Sequence, residues 1–423
     1  MNRVVVTGLG VVAPNGVGIA DFTSAIRGGV SGIRFDQQLA DLNFSCKIAG
    51  KPQLSTDVIS NYFTDLELRN FNSTGILYGV IAGMEAWQNA GLSTDMNLEP
   101  DWDSGTIFGT GTSGIDKFRE SIYKIDNLET RKLGSTAVAQ TMNSGISAYL
   151  GGKIGLGNQV STNSSACTTG TESIILGFDR IRAGKAKRML VGSTSDSGPY
   201  IWAGFDAMKV CTFKYNESPE EGSRPMSASA SGFVPGSGAG ALVLEELNSA
   251  IARGARIYCE ILGGNINSGG QRGGGTMTAP NSVAVKKCIS NTVLESLIEV
   301  KEIDMINGHL TATSKDSLEI QNWTQALHLR GNEFPYINSL KGMVGHCLSG
   351  AGSIESVATI IQLHNNFIAP NINCNDLHPE IAECIDNEKV PTQIVKKEMK
   401  VVIKASFGFG DVNACVIFSK YTK

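Results

Sequence analysis

Short runs of β-branched and apolar residues recur along the chain: Val4–Val12, Met189–Gly192, Ala239–Leu244, Ile257–Leu262, Val401–Ala405 and Ala414–Phe418. Such runs predict strands, and their near-continuous apolar character predicts sheets covered on both faces. Between them, Ser73–Ala90, Thr168–Arg182 and Ser353–Leu363 repeat apolar residues at helical spacing. Alternation of strands and helices predicts an α/β fold built from packed layers. Glycines gather at the predicted strand ends, in 109–114, 236–240 and 263–275, where backbone can approach backbone or ligand closely.

The first strand carries a false lead. Gly8-Leu9-Gly10 opens like a dinucleotide-binding turn, but Pro14-Asn15-Gly16 makes a second turn where that motif needs a helix. Nicotinamide cofactors are therefore not expected. The 423 residues, 41% hydrophobic with a mean hydropathy of −0.03, exclude a disordered chain. No apolar run approaches the ~18 residues that a membrane span requires. The amino terminus lacks a small-residue cleavage site and reads as a strand, so a cytoplasmic location is expected. A net charge of −4 gives no reason to expect nucleic acid. The nine cysteines are odd in number and contain no CxxC pair, which disfavours a disulfide framework or structural zinc.

Candidate chemistry begins at Ser164-Ser-Ala-Cys167-Thr-Thr-Gly, where a strand-like run gives way to a helix. A thiol at a strand-to-helix turn lies at the positive end of the helix dipole, which favours thiolate. Its own N–H can serve as half of an oxyanion hole. A buried structural thiol is the other reading of the same residue. Among the histidines, His328, His364 and His378 have bland surroundings. His309 ends Asp304-Met-Ile-Asn-Gly-His, and His346 follows Lys341 in Leu340-Lys-Gly-Met-Val-Gly-His. Polar residues beside glycine at strand ends suit a site assembled from separate loops. No histidine pair has zinc-protease spacing, so no metal is expected.

Taken together, Cys167 in SSACTTG, His309 in NGHLTAT, Lys341 and His346 in NSLKGMVGH, and SFGFG at 406–410 resemble the β-ketoacyl-acyl-carrier-protein synthases. These are condensing enzymes of the thiolase superfamily with a Cys-His-His triad, and the likeness runs the length of the chain. The resemblance implies a five-layered αβαβα fold of two similar halves, 1–252 with the nucleophilic Cys and 253–423 with both histidines. It implies that Cys167 takes an acyl group from acyl carrier protein. Malonyl carrier protein then loses CO2 and its enolate attacks the Cys167 thioester. His309 and His346 would donate to the malonyl thioester oxygen, Lys341 would tune His346, and Glu355 would hold the network. The N–H groups of Cys167 and Phe409 would form the oxyanion hole, with Phe409, between Gly408 and Gly410, as the gate. Thr311 and Thr313 would bind the pantetheine arm, Thr112 would line the acyl tunnel, and Phe205 would contact the substrate. Arg131, Lys132, Lys209 and Arg69 would meet the acidic carrier protein. No cofactor is implied, since phosphopantetheine belongs to the carrier; the enzyme would be a homodimer or a heterodimer with a ketosynthase-like subunit, with no membrane or nucleic-acid partner.

Three departures stand out. The loop after His309 is one residue shorter than the family's H-G-T-S-T-P-x-G-D, which puts the role of Asp316 in question. Asp411 replaces a glycine after the gate. Thr112 stands where a branched apolar residue often lines the acyl tunnel, so a specialised polyene or polyketide-like chain rivals saturated fatty-acid elongation. A non-catalytic chain-length factor would lack the nucleophile. A degradative thiolase would need a second catalytic Cys in a C-x-G loop, and a cysteine hydrolase would not need Lys341 and His346.

Overall fold

The computed structural model describes residues 1–94 and 99–422. Ten strands form the main path of one sheet: β1 (Val4–Ala13), β2 (Ser104–Thr110), β3 (Val160–Ser161), β4 (Arg188–Ser195), β5 (Gly238–Glu246), β6 (Cys259–Ser268), β7 (Ile303–Asn307), β8 (Tyr336–Asn338), β9 (Val401–Gly408) and β10 (Val412–Ser419). Their order is β8-β7-β9-β10-β6-β1-β5-β4-β2-β3, with the short Gly16–Val17 strand attached to β1. Every apolar run read from the sequence lies on one of these strands. Ile257 and Tyr258 are the exception, since β6 starts at Cys259.

The path divides into equal halves. Counted within each half, the strand order is first-fifth-fourth-second-third in both. In each, the first three neighbours pair antiparallel and the last two pairings are parallel. The halves are joined by pairing of Val4–Val6 with Cys259–Ile261. The two sheets of the expected five-layered fold are therefore continuous at one edge. Three short pairs suffice for that join because helices prise the halves apart elsewhere.

Seven helices matter here: α1 (Thr74–Asn89), α2 (Ile115–Asp126), α3 (Gly145–Ile154), α4 (Thr169–Arg182), α5 (Ser282–Glu295), α6 (Asp316–Leu327) and α7 (Ala351–Asn365). Helices α4 and α7 pack against each other and against strands of both halves, while α1 and α3 cover one outer face and α5 and α6 the other. This gives the αβαβα layering. A helix between two sheets must be apolar all round; in α7 every residue from Ala351 to Leu363 is buried. Gly8 and Gly10 serve this packing and not a dinucleotide, because a Cβ at either would collide with the Ala86 or Ala82 carbonyl oxygen of α1. Among the described residues no helix is long and apolar enough to cross a membrane.

Candidate active site

Both central helices begin with the same local device. Ahead of α4, residues Ala166–Thr168 form one 3-10 turn, and ahead of α7, Leu348–Gly350 form another. Each turn opens on a non-glycine residue in the left-handed region, Ala166 at φ 49° and Leu348 at φ 49°. Such conformations cost free energy and persist where surrounding structure enforces them. The first turn carries Cys167; the second is preceded by His346. Because α4 and α7 lie side by side in the middle layer, these turns bring thiol and imidazole together.

His309 arrives from the loop after β7. Its ring centroid lies 5.4 Å from that of His346, nearly edge-on at 81°. The Cys167 sulfur and one ring nitrogen of each histidine all lie within 4.8 Å of one another. Among the described residues this is the one Cys, His and carboxylate group compact enough to hold an ion. Its members are also a nucleophile and two hydrogen-bond donors aimed at a common point.

Burial, then the Lys341 charge, drives the pKa of both His309 and His346 well below the ordinary imidazole value, so both rings are neutral at pH 7. The Leu348 N–H donates to His346 Nδ1 at 3.1 Å, which leaves the proton on Nε2. Cys167 departs from expectation. Burial pushes its thiol up to about 11, against the opposing pull of Lys341 and of the Phe409 and Cys167 N–H groups. The turn before α4 and the gate loop thus each supply a donor that points at the sulfur, but desolvation wins and the resting group is thiol.

Lys341 bears on His346 through its charge and not through a hydrogen bond. Its ammonium reaches the His309 carbonyl oxygen at 2.5 Å and Glu355 Oε1 at 2.5 Å, and none of its hydrogen bonds goes to His346. It fixes the backbone that carries His309. Glu355, buried on α7, holds the network as expected, but its second oxygen meets Lys404 Nζ at 2.9 Å. The sequence reading passed over Lys404 because it sits inside an apolar strand run. It also passed over Glu319, whose carboxylate accepts the His309 N–H at 2.7 Å and the Leu310 N–H at 2.8 Å. The spacing of Glu319, three residues after Asp316 on α6, was the available signal. Asp316 has a role despite the shortened loop. It accepts from the Thr311, Ala312 and Met226 N–H groups, pinning a turn in which Leu310 and Ala312 both have positive φ.

Two cavities meet at this centre. One of about 500 Å³ is lined by Cys167, His309, His346, Thr311, Thr313, Phe407, Gly408 and Phe409, among others. The Thr311 and Thr313 hydroxyls are 3.1 Å apart on its wall. A second of about 240 Å³ is lined by Thr112, Ile115, Cys167, Tyr200, Leu348, Ser349 and Phe409. Phe205 and Phe409 line both, with ring centroids 6.0 Å apart. Phe233, also missed, packs edge-on to His346 at 5.3 Å. Gly408 lies against the nucleophile's turn, since a Cβ there would stand 3.1 Å from the Cys167 N. Gly410, at φ 89°, donates its N–H to the Met277 carbonyl at 2.8 Å. Phe407 is buried and stands 6.3 Å from the His309 ring.

Asp411 adjoins the gate at φ 62° and is buried. Its carboxylate accepts the Gln271 N–H at 2.9 Å and the Asn281 N–H at 2.8 Å. It thereby ties the gate loop to the glycine-rich segment 269–281, whose Thr278, Ala279 and Pro280 line the larger cavity. The four expected carrier-contacting cations are exposed. Lys209 follows Met208 at the mouth of the larger cavity, while Lys132 is paired with Glu129 at 2.7 Å.

Comparison with known proteins agrees with this geometry. A 3-oxoacyl-[acyl-carrier-protein] synthase 1 of Haemophilus influenzae is 30% identical over 426 residues, covering 100% of both chains. A β-ketoacyl synthase from Burkholderia phymatum superposes with a TM-score of 0.90 at 26% identity, over 100% of each chain. A type II PKS acyl-carrier protein in complex with its ketosynthase bound to the hexaketide superposes with a TM-score of 0.87 at 25% identity, over 99% of this chain and 100% of that one. Residues 1–250 match the family model "Beta-ketoacyl synthase, N-terminal domain" and residues 258–375 match "Beta-ketoacyl synthase, C-terminal domain". With both domain models matched in order, and with a thiol and two neutral imidazoles converging between them, this chain belongs to the β-ketoacyl synthase family.

Proposed function

We propose that this protein is a β-ketoacyl-acyl-carrier-protein synthase, an acyltransferase that condenses malonyl carrier protein with an acyl group held on Cys167. The convergence of the Cys167 sulfur with the His309 and His346 nitrogens, at the junction of two cavities, carries the reading. In the first half-reaction the Cys167 sulfur adds to the acyl thioester, the carrier sulfur leaves, and the thiol proton ends on that leaving sulfur. The N–H groups of Cys167 and Phe409, both directed at the sulfur, stabilise the tetrahedral oxyanion.

The second half-reaction starts with malonyl carrier protein in the larger cavity. Loss of CO2 places negative charge on the thioester oxygen, where His346 Nε2–H and the His309 ring N–H donate. The enolate carbon attacks the acyl carbonyl, the Cys167–acyl bond breaks with its electron pair going to sulfur, and the sulfur takes a proton from water. Storing the acyl group covalently divides one difficult reaction into two easier ones. Phe409, lining both cavities, gates acyl loading against malonyl admission. Thr311 and Thr313 bind the pantetheine arm in the larger cavity. Thr112 and Phe205 line the acyl cavity. Arg131, Lys132, Lys209 and Arg69 attract an acidic carrier protein.

The chemistry asks for no metal or organic cofactor, since the phosphopantetheine travels on the carrier. The working unit is a homodimer, or a heterodimer with a ketosynthase-like subunit, in the cytoplasm. A specialised polyene or polyketide-type chain is the second reading. The polar Thr112 in the 240 Å³ cavity favours it, as does likeness to a type II polyketide ketosynthase. Intact-protein mass spectrometry with a panel of saturated and conjugated acyl carrier proteins tests both readings. An acyl adduct lost in Cys167→Ala supports the half-reaction, and the preferred chain chooses between them. No adduct with any carrier refutes the enzyme acting alone.

A further inference from the structure

Lys404 is a lysine where the fold asks for an apolar residue. It occupies the fourth position of β9, flanked by the buried Ile403 and Ala405, and is itself fully buried. The fourth position of the equivalent strand β4 is Val191, also fully buried. Taking an ammonium out of water costs several kcal/mol unless its partners are well placed. Here the partners are Glu355 Oε2 at 2.9 Å, the Ala405 carbonyl, and the Ser406 hydroxyl at 3.3 Å. Ser406 in turn meets the Thr171 hydroxyl of α4 at 2.9 Å, one turn beyond Cys167. Across the sheet, Asn307 lies opposite Lys404 in the register and leaves Oδ1 without a protein partner.

The charge count is the telling feature. Glu355 bridges two buried lysines, Lys341 and Lys404, so the three groups carry one excess positive charge while Lys404 is protonated; burial pulls the Lys404 pKa down and the Glu355 carboxylate opposes that pull. One lysine would have sufficed to neutralise Glu355. We propose that Lys404 is a positioning residue of the condensation site, supplying that excess charge behind His309 and His346 so that both remain neutral donors while an anion forms before them. This inference rests on the ketosynthase reading and deepens it.

The electrostatics agree with the geometry. After burial and Lys341, the Lys404 charge further depresses the proton affinity of both imidazoles. The groups that face the two rings are Cys167 ahead of α4, Lys341 from the turn before His346, Glu355 from α7, Lys404 from β9, and Asp316 and Glu319 from α6. Glu319, pushed up to about 7 by burial, offers only a partial negative charge at neutral pH. A protonated His346 would oppose the role, since its Nδ1–H would face the Leu348 N–H that Nδ1 now accepts, and its charge would repel the lysines.

The test is the pH profile of CO2 release from malonyl carrier protein, in the Cys167→Ala background so that the thiol does not titrate. Lys404→Met removes the charge and keeps the length. The expected result is an acid limb displaced upward by about one pH unit, a tenfold change in imidazole proton affinity. The double variant Lys404→Met/Glu355→Gln leaves Lys341 alone, restoring one net positive charge, and should return the limb toward its parent position. A merely structural lysine would lower the rate equally at every pH and give no return in the double variant; that result overturns the proposal. If Lys404→Met does not fold, Lys404→Gln replaces it, and failure of both singles while the double folds assigns Lys404 to structure and also overturns it. A parent that releases no CO2 and forms no acyl adduct when its Cys167 is intact refutes the ketosynthase reading instead, a distinct outcome.

Discussion

Replacing Asp411 by glycine restores the residue usual at this point of the gate loop, and it should loosen the segment over the larger cavity. The carboxylate accepts two main-chain N–H groups, from Gln271 and Asn281, and sits between Gly269 and Gly275, where a Cβ would collide with it. Leaving the buried Asn281 N–H unpaired costs about 1–3 kcal/mol, and the part-buried Gln271 N–H, which water can reach, costs less, so the two together cost roughly 2–4 kcal/mol. Glycine recovers roughly 1 kcal/mol by relieving a side chain held at positive φ. The balance, about 2 kcal/mol, raises the population of locally opened 269–281 segment roughly thirtyfold. The remaining main-chain bonds, Gly269 N–H to the Asp411 carbonyl and Gly410 N–H to Met277, persist, so global unfolding should change far less. Hydrogen exchange read by mass spectrometry on peptides spanning Gln271 and Asn281 measures the opening directly. Trypsin cleavage after the exposed Arg272 reads it independently. Exchange within threefold of wild type, together with unchanged cleavage, would refute the assignment of Asp411 as the tie between the gate loop and the 269–281 segment.

His346→Ala removes one donor to the developing enolate and should slow decarboxylation by about 10²–10³, while acylation of Cys167, served by main-chain donors, falls much less; equal losses in both half-reactions would contradict the division of labour. Because burial holds the Cys167 thiol up to about 11, its alkylation by iodoacetamide should climb about tenfold per pH unit from pH 7 through pH 10. A plateau reached below pH 9 would mean a resident thiolate. Glu319 has a folded-state pKa of about 7 against an ordinary 4.5, so its protonated form favours the fold; that contribution is complete below about 4.5 and is lost as pH rises through 7. Glu319→Gln should therefore gain in Tm relative to wild type between pH 5 and pH 8, and a constant difference across that range would count against the shift.

What the sequence discloses depends on how local the cause is. The strands at Val4, Met189, Ala239, Val401 and Ala414 are legible because a strand buried on both faces must be apolar at successive positions, whatever lies beside it. Cys167, His309, Lys341 and His346 stand out because each lies in a glycine-rich or small-residue motif that resembles a known family. Lys404 does not, because its burial follows from strand order: β9 lies between β7 and β10, and its β7 neighbour is about a hundred positions away in the chain. The same reason hides Glu319, whose partners are the backbone of His309 and Leu310 folded back over α6. The thiol misleads in the opposite sense. A helix end visible in the sequence promises thiolate, while the desolvation that overrides it comes from the second half of the chain.

The matched turns at the heads of α4 and α7 have a consequence for how the protein can change over generations. Counting from the left-handed residue of each turn, Cys167 corresponds to Ser349. In the second copy the hydroxyl is tied to the Thr194 carbonyl at 2.7 Å and forms wall, lining the smaller cavity that serves the first copy's thiol. Were the two halves separate, identical subunits, any substitution that widened that wall would alter the nucleophile's own turn as well. Joined in one chain they vary independently, so the space offered to the acyl group at Ser349 can be resized by mutation while the turn that presents Cys167 stays untouched.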